Sequence, residues 1–140
     1  MNLEKAIEIA VSAHIGAIDK GGQPYILHPL AVMMDLKTDE EKIVGVLHDV
    51  VEDSDWTFEA LKEEGFSEDI IEALRSVTKS DDDSSYIDFI ERAKTNAIGR
   101  KVKIADLKHN MDISRLPSIT NQEFERLERY RKSLEILEAS

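Results

Sequence analysis

The sequence predicts an all-α protein, a compact single-domain bundle of about seven or eight helices over residues 1–140. Three observations carry that expectation. Apolar residues recur at helical spacing in segment after segment. Only three prolines and six glycines interrupt the chain. Threonines and serines stand just before several apolar runs, where a helix needs a cap. No segment reads as a convincing strand. A length of 140 residues suits one core, and 41% apolar residues is ordinary for a globular domain.

In chain order, Leu3, Ala6, Ile7, Ala10, Val11, Ala13, Ala17 and Ile18 trace a first helix over 3–18, with Asn2 as N-cap and Gly21-Gly22 as the stop. Gln23 to Leu27 reads as an ordered loop, and His28-Pro29 opens a second helix, where proline's missing N–H costs little. Thr38 and Glu41 form a capping box. The helix it starts, through Ile43, Val44, Val46, Leu47, Val50 and Val51, is apolar nearly all round and belongs at the centre of the bundle. Thr57 to Glu64 is a short helix ended by Gly65, and Ser67 caps another that carries Ile70, Ile71, Leu74 and Val77. Ser80 to Ser85, with three aspartates, reads as a solvated loop. Residues 86–97 and 100–109 read as two helices parted near Gly99. Pro117 breaks the chain, and Thr120 to Glu123 is a second capping box before a last helix through Phe124, Leu127, Arg131, Leu134 and Leu137.

Composition removes several functional classes. With no cysteine there can be no disulfide, thiolate metal site or cysteine nucleophile. Any metal must be held by imidazole, carboxylate, carbonyl or water. A formal charge of −11 repels polyanions and argues against nucleic-acid binding. No apolar run reaches the ~18 residues of a membrane span. The start MNLEKAIEIA lacks the basic segment and cleavage signal of a secretory peptide, so a cytoplasmic location is expected.

The chemistry concentrates in VLHDVVED, where His48, Asp49, Glu52 and Asp53 interrupt the most hydrophobic helix. Burying unpaired charge costs several kcal/mol or more. Asp49 stands three and four residues before Glu52 and Asp53, so a continuous helix puts these carboxylates on one side. A divalent cation would relieve both their repulsion and their burial. A second cluster, KIADLKHNMD, places Asp106, His109 and Asn110 at i, i+3 and i+4, with Lys103 one turn before. His28, at the mouth of its helix, is either a cap or a ligand. His14 lies on the apolar stripe of the first helix and reads as structural or as support to the site. Tyr86 and Tyr130 read as packing residues with a secondary claim to line a pocket.

The order His28, His48-Asp49, Asp106 resembles the H…HD…D signature of the HD-domain metal-dependent phosphohydrolases. The chain is more particularly similar to the hydrolase domain of RelA/SpoT-type enzymes and to free-standing small alarmone hydrolases. The stretches that carry the resemblance are AHIGAIDKGGQPYILHPL (13–30), VLHDVVEDSDWTFEAL (46–61), SVTK (76–79) and VKIADLKHNMDISRL (102–116), which together span most of the chain. The resemblance implies the helical HD-domain fold and one divalent ion, Mn²⁺ in those hydrolases. It implies His28, His48, Asp49 and Asp106 as ligands, and Glu52 and Asp53 as the acidic pair that positions or activates water. Lys20 and Asn110 match substrate-contacting positions, and Lys103, close to Asp106, is a further candidate for phosphate. The implied reaction is hydrolysis of guanosine 3′,5′-bis(diphosphate), ppGpp, with release of pyrophosphate from the 3′ position. The expected partner is thus a small nucleotide, with no second catalytic domain in a chain of this length.

One position departs from the family pattern. Asp19 stands where the family usually has an arginine associated with stacking on guanine. An aspartate offers no cationic face. Two alternatives therefore stay open: an HD phosphohydrolase acting on another nucleotide, and a metal-holding regulatory module without turnover.

Overall fold

A buried helix at residues 39–47 forms the hub around which the other elements of the computed structural model are laid. The structure describes residues 2–112, 116 and 118–139; the break expected at Pro117 and residues 113–115 of the fourth motif stretch lie outside them. Among the described residues there are nine helical segments: α1 Leu3–His14, α2 Leu27–Met34, α3 Asp39–Leu47, α4 Val50–Asp53, α5 Phe58–Glu63, α6 Glu68–Ser76, α7 Tyr86–Lys94, α8 Ala97–Asn110 and α9 Asn121–Glu138. The one extended pairing among them is an isolated bridge between Ile18 and Pro24. The all-α expectation holds. None of the described helices is long and apolar enough to cross a membrane.

The caps follow the sequence closely. Asn2 accepts from Lys5 N at 2.9 Å to open α1. Thr38 and Glu41 make both halves of their capping box on α3. Thr57 and Ser67 cap α5 and α6. Each such cap is worth about 1 kcal/mol against alanine. At α9 only Thr120 behaves as expected, accepting from Glu123 N, while the Glu123 carboxylate turns to Arg126 at 3.0 Å.

Four features differ from the sequence expectation, three of them helix boundaries, each for a local reason. First, α1 ends at His14, short of Gly21-Gly22, because Gly16 takes the left-handed φ of 85° that turns the chain out of the helix. Second, the helix expected through Val51 is broken at His48-Asp49, where Asp49 has φ −106° and ψ 1°. The short α4 is its continuation, and accounts for one segment beyond the expected number. Third, the break near Gly99 falls instead at Thr95-Asn96, because Asn96 Oδ1 accepts from the backbone of both Ile98 and Gly99. Fourth, the aspartate loop is not wholly solvated. Arg92 bonds both oxygens of Asp83, at 3.1 and 2.9 Å, and also the carbonyls of Arg75 and Thr78. That guanidinium holds the Asp83 carboxyl below its usual range and ties the loop to α6 and α7.

Two apolar clusters hold the fold. The larger packs α1, α2, α3, α6 and part of α8 around Val32, Val44, Val46, Leu47, Ile71, Leu74 and Val102. The smaller joins α7, α8 and α9 through Ile90, Ala93, Leu107 and Leu137. Helix α8 belongs to both, so its polar face looks into the gap between them.

Close approach of α8 to α6 requires Gly99. A Cβ there would lie 2.0 Å from Ser76 Oγ, which itself donates to Ala73 O at 2.6 Å. We predict that Gly99→Ala lowers stability by about 1–2 kcal/mol, overpacking outweighing the gain in helix propensity. Adding Ser76→Ala should recover part of the loss, as read by chemical denaturation.

Candidate active site

The break between α3 and α4 sets the geometry of the site. His48 is the last turn of an apolar helix, and its Nδ1 donates to Gly45 O at 2.6 Å. The carbonyl can only accept, so the proton is fixed on Nδ1 and the Nε2 lone pair is left facing inward. That buried Nε2 has no hydrogen-bond partner. The next residue, Asp49, is turned by its non-helical backbone so that Oδ2 lies 3.1 Å from the same nitrogen. Helix α2 brings His28, and α8 brings Asp106. His28 Nε2 is 2.9 Å from Asp106 Oδ1, and His48 Nε2 is 3.4 Å from it. The two imidazole rings meet edge to face, 5.4 Å between centroids. Thus the four residues singled out as ligands in the sequence converge, and His28, His48 and Asp106 are each 5% exposed or less.

The donor set fits a divalent cation. A lone pair on His48 Nε2 beside two carboxylate oxygens is repulsive unless positive charge lies between them. With no ion, a proton must serve. Burial disfavours charge on His48, but Asp49 and Asp106 outweigh it and hold the imidazole pKa well above its ordinary value. Asp49 resists burial through His48 and falls to about 2, with Tyr25 also contributing a hydrogen bond. Asp106, fully enclosed, is held well below the usual carboxylate range by Lys103, His48 and His28. Ligand atoms of His28, His48 and Asp49 lie within 4.8 Å of one another, close enough to share one divalent ion. Hard oxygen and imidazole donors suit Mn²⁺, Fe²⁺ or Zn²⁺.

The surrounding residues divide unevenly. Lys103 Nζ pairs with Asp106 Oδ2 at 2.9 Å and lies 4.8 Å over the Phe89 ring. Asn110 Nδ2 donates to Asp106 Oδ1 at 3.1 Å. Glu52 lines the cleft in front of the metal group. Glu52 and Asp53 are both exposed, which corrects the expectation that they are buried acids; the break before α4 carries them to the rim. Burial, then the charges of Asp49 and Glu52, push the Asp53 carboxyl up to about 6. Lys20 is not in this cleft. It lines a neighbouring pocket and sits 3.6 Å from Glu123.

Several contributors were not assigned from the sequence. Tyr25 donates its hydroxyl to Asp49 Oδ2 and packs 5.0 Å from the buried ring of His14. His109 Nδ1 meets His28 Nδ1 at 2.7 Å. Lys79 and Arg129 reach the cleft, a space of about 360 Å³, and Arg129 lies 4.6 Å over Tyr86. Tyr86 and Tyr130 line it rather than merely packing. The second pocket, about 290 Å³, adjoins the cleft through the shared Tyr25, Asn110 and Tyr130. Ile18, Leu127 and Arg126 wall it, with Asp19 and Glu123 at its edge. Asp19 Oδ1 accepts from the backbone of Gly21 and Gln23, so the departure from the family pattern has a structural role in its own loop. Arg126, on an amphipathic helix, gave no signal distinct from a solvated face, whereas Tyr130 carried its secondary claim to line a pocket.

Comparison with known proteins bears on the fold and on the sequence as a whole. The chain is 35% identical over 130 residues to the guanosine-3′,5′-bis(diphosphate) 3′-pyrophosphohydrolase of Borreliella burgdorferi, a match covering 81% of the chain and 19% of that protein. It is 34% identical over 126 residues to the GTP pyrophosphokinase of Myxococcus xanthus, covering 78% of the chain and 16% of that protein. The chain therefore spans less than a fifth of the length of these curated relatives. No family model matches it. Among solved structures, a metazoan orthologue of SpoT, described as hydrolysing ppGpp, superposes with a TM-score of 0.78 at 22% identity, covering 96% of this chain and 84% of that one. The fold is that of an HD domain. By sequence the chain is similar to the hydrolases of the RelA/SpoT group.

The raised Asp53 pKa gives a signed prediction for metal-free protein. A carboxyl lifted from 3.8 to about 6 by folding favours the native state fully below the lower value and loses that contribution as pH rises through the upper one. The difference in melting temperature between wild type and Asp53→Asn should therefore change between pH 4 and 7, in favour of the variant at the higher pH.

Proposed function

We propose that this chain is a divalent-metal-dependent phosphohydrolase that removes pyrophosphate from the 3′ position of ppGpp, with Mn²⁺ as the working ion. The observation that carries it is the convergence of His28, His48, Asp49 and Asp106 in a cleft that also presents the cations Lys79 and Arg129. The names of the relatives support the substrate. When bound, the ion would supply Lewis acidity and a lowered pKa for water.

The chain's own residues then have separable tasks. His28, His48, Asp49 and Asp106 hold the ion, and the Tyr25 hydroxyl and Asn110 amide orient two of those carboxylates. Glu52, on the cleft wall, orients the attacking water and accepts its proton, with the Asp53 carboxyl, raised to about 6, beside it. Lys79 and Arg129 neutralise the departing pyrophosphate, while Lys103 offsets the charge of Asp106. The adjoining pocket receives the nucleoside. Its apolar walls suit a planar base, and Arg126 brings a guanidinium to it.

Asp19 on the edge of that pocket favours a second reading, hydrolysis of another nucleotide by the same centre. Purified protein with Mn²⁺ should be offered ppGpp, nucleoside mono- and triphosphates and NADPH. Pyrophosphate release from ppGpp alone is the expected result. Orthophosphate from the other nucleotides would establish the second reading, and metal binding without turnover of any of them would leave a regulatory module.

Two sets of variants test the assignment of roles. His48→Ala and Asp49→Ala should lose both the ion and activity, and with them the melting-temperature rise on adding Mn²⁺. That rise corresponds to about 2.7 kcal/mol at a free-ion concentration of 100 times Kd. Glu52→Ala should keep the ion while kcat falls about 10²–10⁴-fold.

A further inference from the structure

We infer that His109 is a positioning residue: it selects the ring tautomer of His28 that can face a cation, an inference that rests on the metal-centre reading above. The two rings lie nearly parallel, 24° apart with centroids at 4.9 Å, and meet Nδ1 to Nδ1 at 2.7 Å. Two nitrogens this close cannot both be lone pairs or both N–H; one donates and the other accepts. Where that proton sits decides what His28 Nε2 can do. With the proton on His28 Nδ1, Nε2 is a bare lone pair aimed at the space beside Asp106 Oδ1, 2.9 Å away. With the proton on His109 Nδ1, His28 carries its own proton on Nε2, donates it to Asp106, and closes that coordination direction to an ion.

His48 shows how the fold solves the same problem nearby. Its Nδ1 faces the Gly45 carbonyl, which fixes the proton there and leaves Nε2 unpartnered. At His28 the acceptor is the Nδ1 of another imidazole. For both rings to offer Nε2 to one ion, His109 must carry its proton on Nε2 and accept through Nδ1. Its position suits the task. Asp106 and His109 stand three residues apart on α8, so one helix supplies both a carboxylate of the metal group and the partner that orients the imidazole from α2. Groups that fix the far nitrogen of a ligand histidine commonly change metal affinity by about 10–100-fold when removed.

The test compares two substitutions by direct titration of Mn²⁺ and Zn²⁺ onto metal-free protein. In His109→Asn the side-chain Oδ1 can stand near the position of Nδ1 and still accept; in His109→Leu no acceptor remains. His109→Leu should bind either ion about 10–100-fold more weakly, and His109→Asn within a few-fold of wild type. Nitrogen NMR of the Zn²⁺-loaded wild type should show His28 protonated at Nδ1 and coordinated through Nε2. Should the leucine variant not fold, His109→Ala replaces it against the same asparagine control. Wild-type affinity in the leucine or alanine variant overturns the inference, as does coordination of His28 through Nδ1. Equal weakening in the asparagine and leucine variants would mean a packing role and also overturns it. A wild-type chain that binds no divalent ion overturns the metal centre itself, and this inference with it; equal affinity in wild type and variant overturns only the part played by His109.

Discussion

Buried negative charge is the constraint around which the structure is arranged. Asp106 is enclosed at the seam of two apolar clusters, and Asp49 stands just beyond the end of the buried helix α3. Neither could remain there alone, because an uncompensated carboxylate in such surroundings costs several kcal/mol. The compensation is local and directional: Lys103 takes one oxygen of Asp106, Asn110 the other, and Tyr25 one oxygen of Asp49. The Nε2 atoms of His28 and His48 face the same place. What is left over is an unmet demand for positive charge at one point.

The helices serve that point in different ways. α3 is apolar enough to sit at the centre, which carries His48 inward, and its ending there lets Asp49 turn toward the histidine. α8 must approach α6 closely, which Gly99 permits, to bring Asp106 into reach. The loop after α1 closes on itself through Asp19 and the Ile18–Pro24 bridge, and so holds Tyr25 against Asp49.

Much of this was legible in the sequence, for reasons that differ by element. Caps at Asn2, Thr38 and Ser67 are local chemistry, and each formed as expected. His48 and Asp49 announced themselves as charge inside an apolar run. The partners His28 and Asp106 came from resemblance, since neither position is unusual in its own segment. The misplaced boundaries share a cause. Gly16 and Asn96 end or start helices through one backbone angle or one side-chain bond, which periodicity does not register. Glu52 and Asp53 were assigned to a buried face because a continuous helix was assumed, and the turn at Asp49 moved them to the rim. Arg126, Arg129 and Lys79 were invisible because a cation facing a cleft and a cation facing water look alike in one dimension; only the packing of α7 and α9 against α8 distinguishes them.

The two adjoining spaces are walled by different pieces of chain. The polar cleft takes its metal-facing wall from α2, α8 and the α3–α4 break, whereas the apolar pocket is made chiefly by the loop after α1 and by α9. Among the described residues, only Tyr25, Asn110 and Tyr130 belong to both. Substitutions on the outer part of α9 can therefore reshape one space while leaving the other untouched. A lineage of such domains could exchange the organic half of its ligand by drift in a single helix, with the inorganic chemistry inherited unchanged.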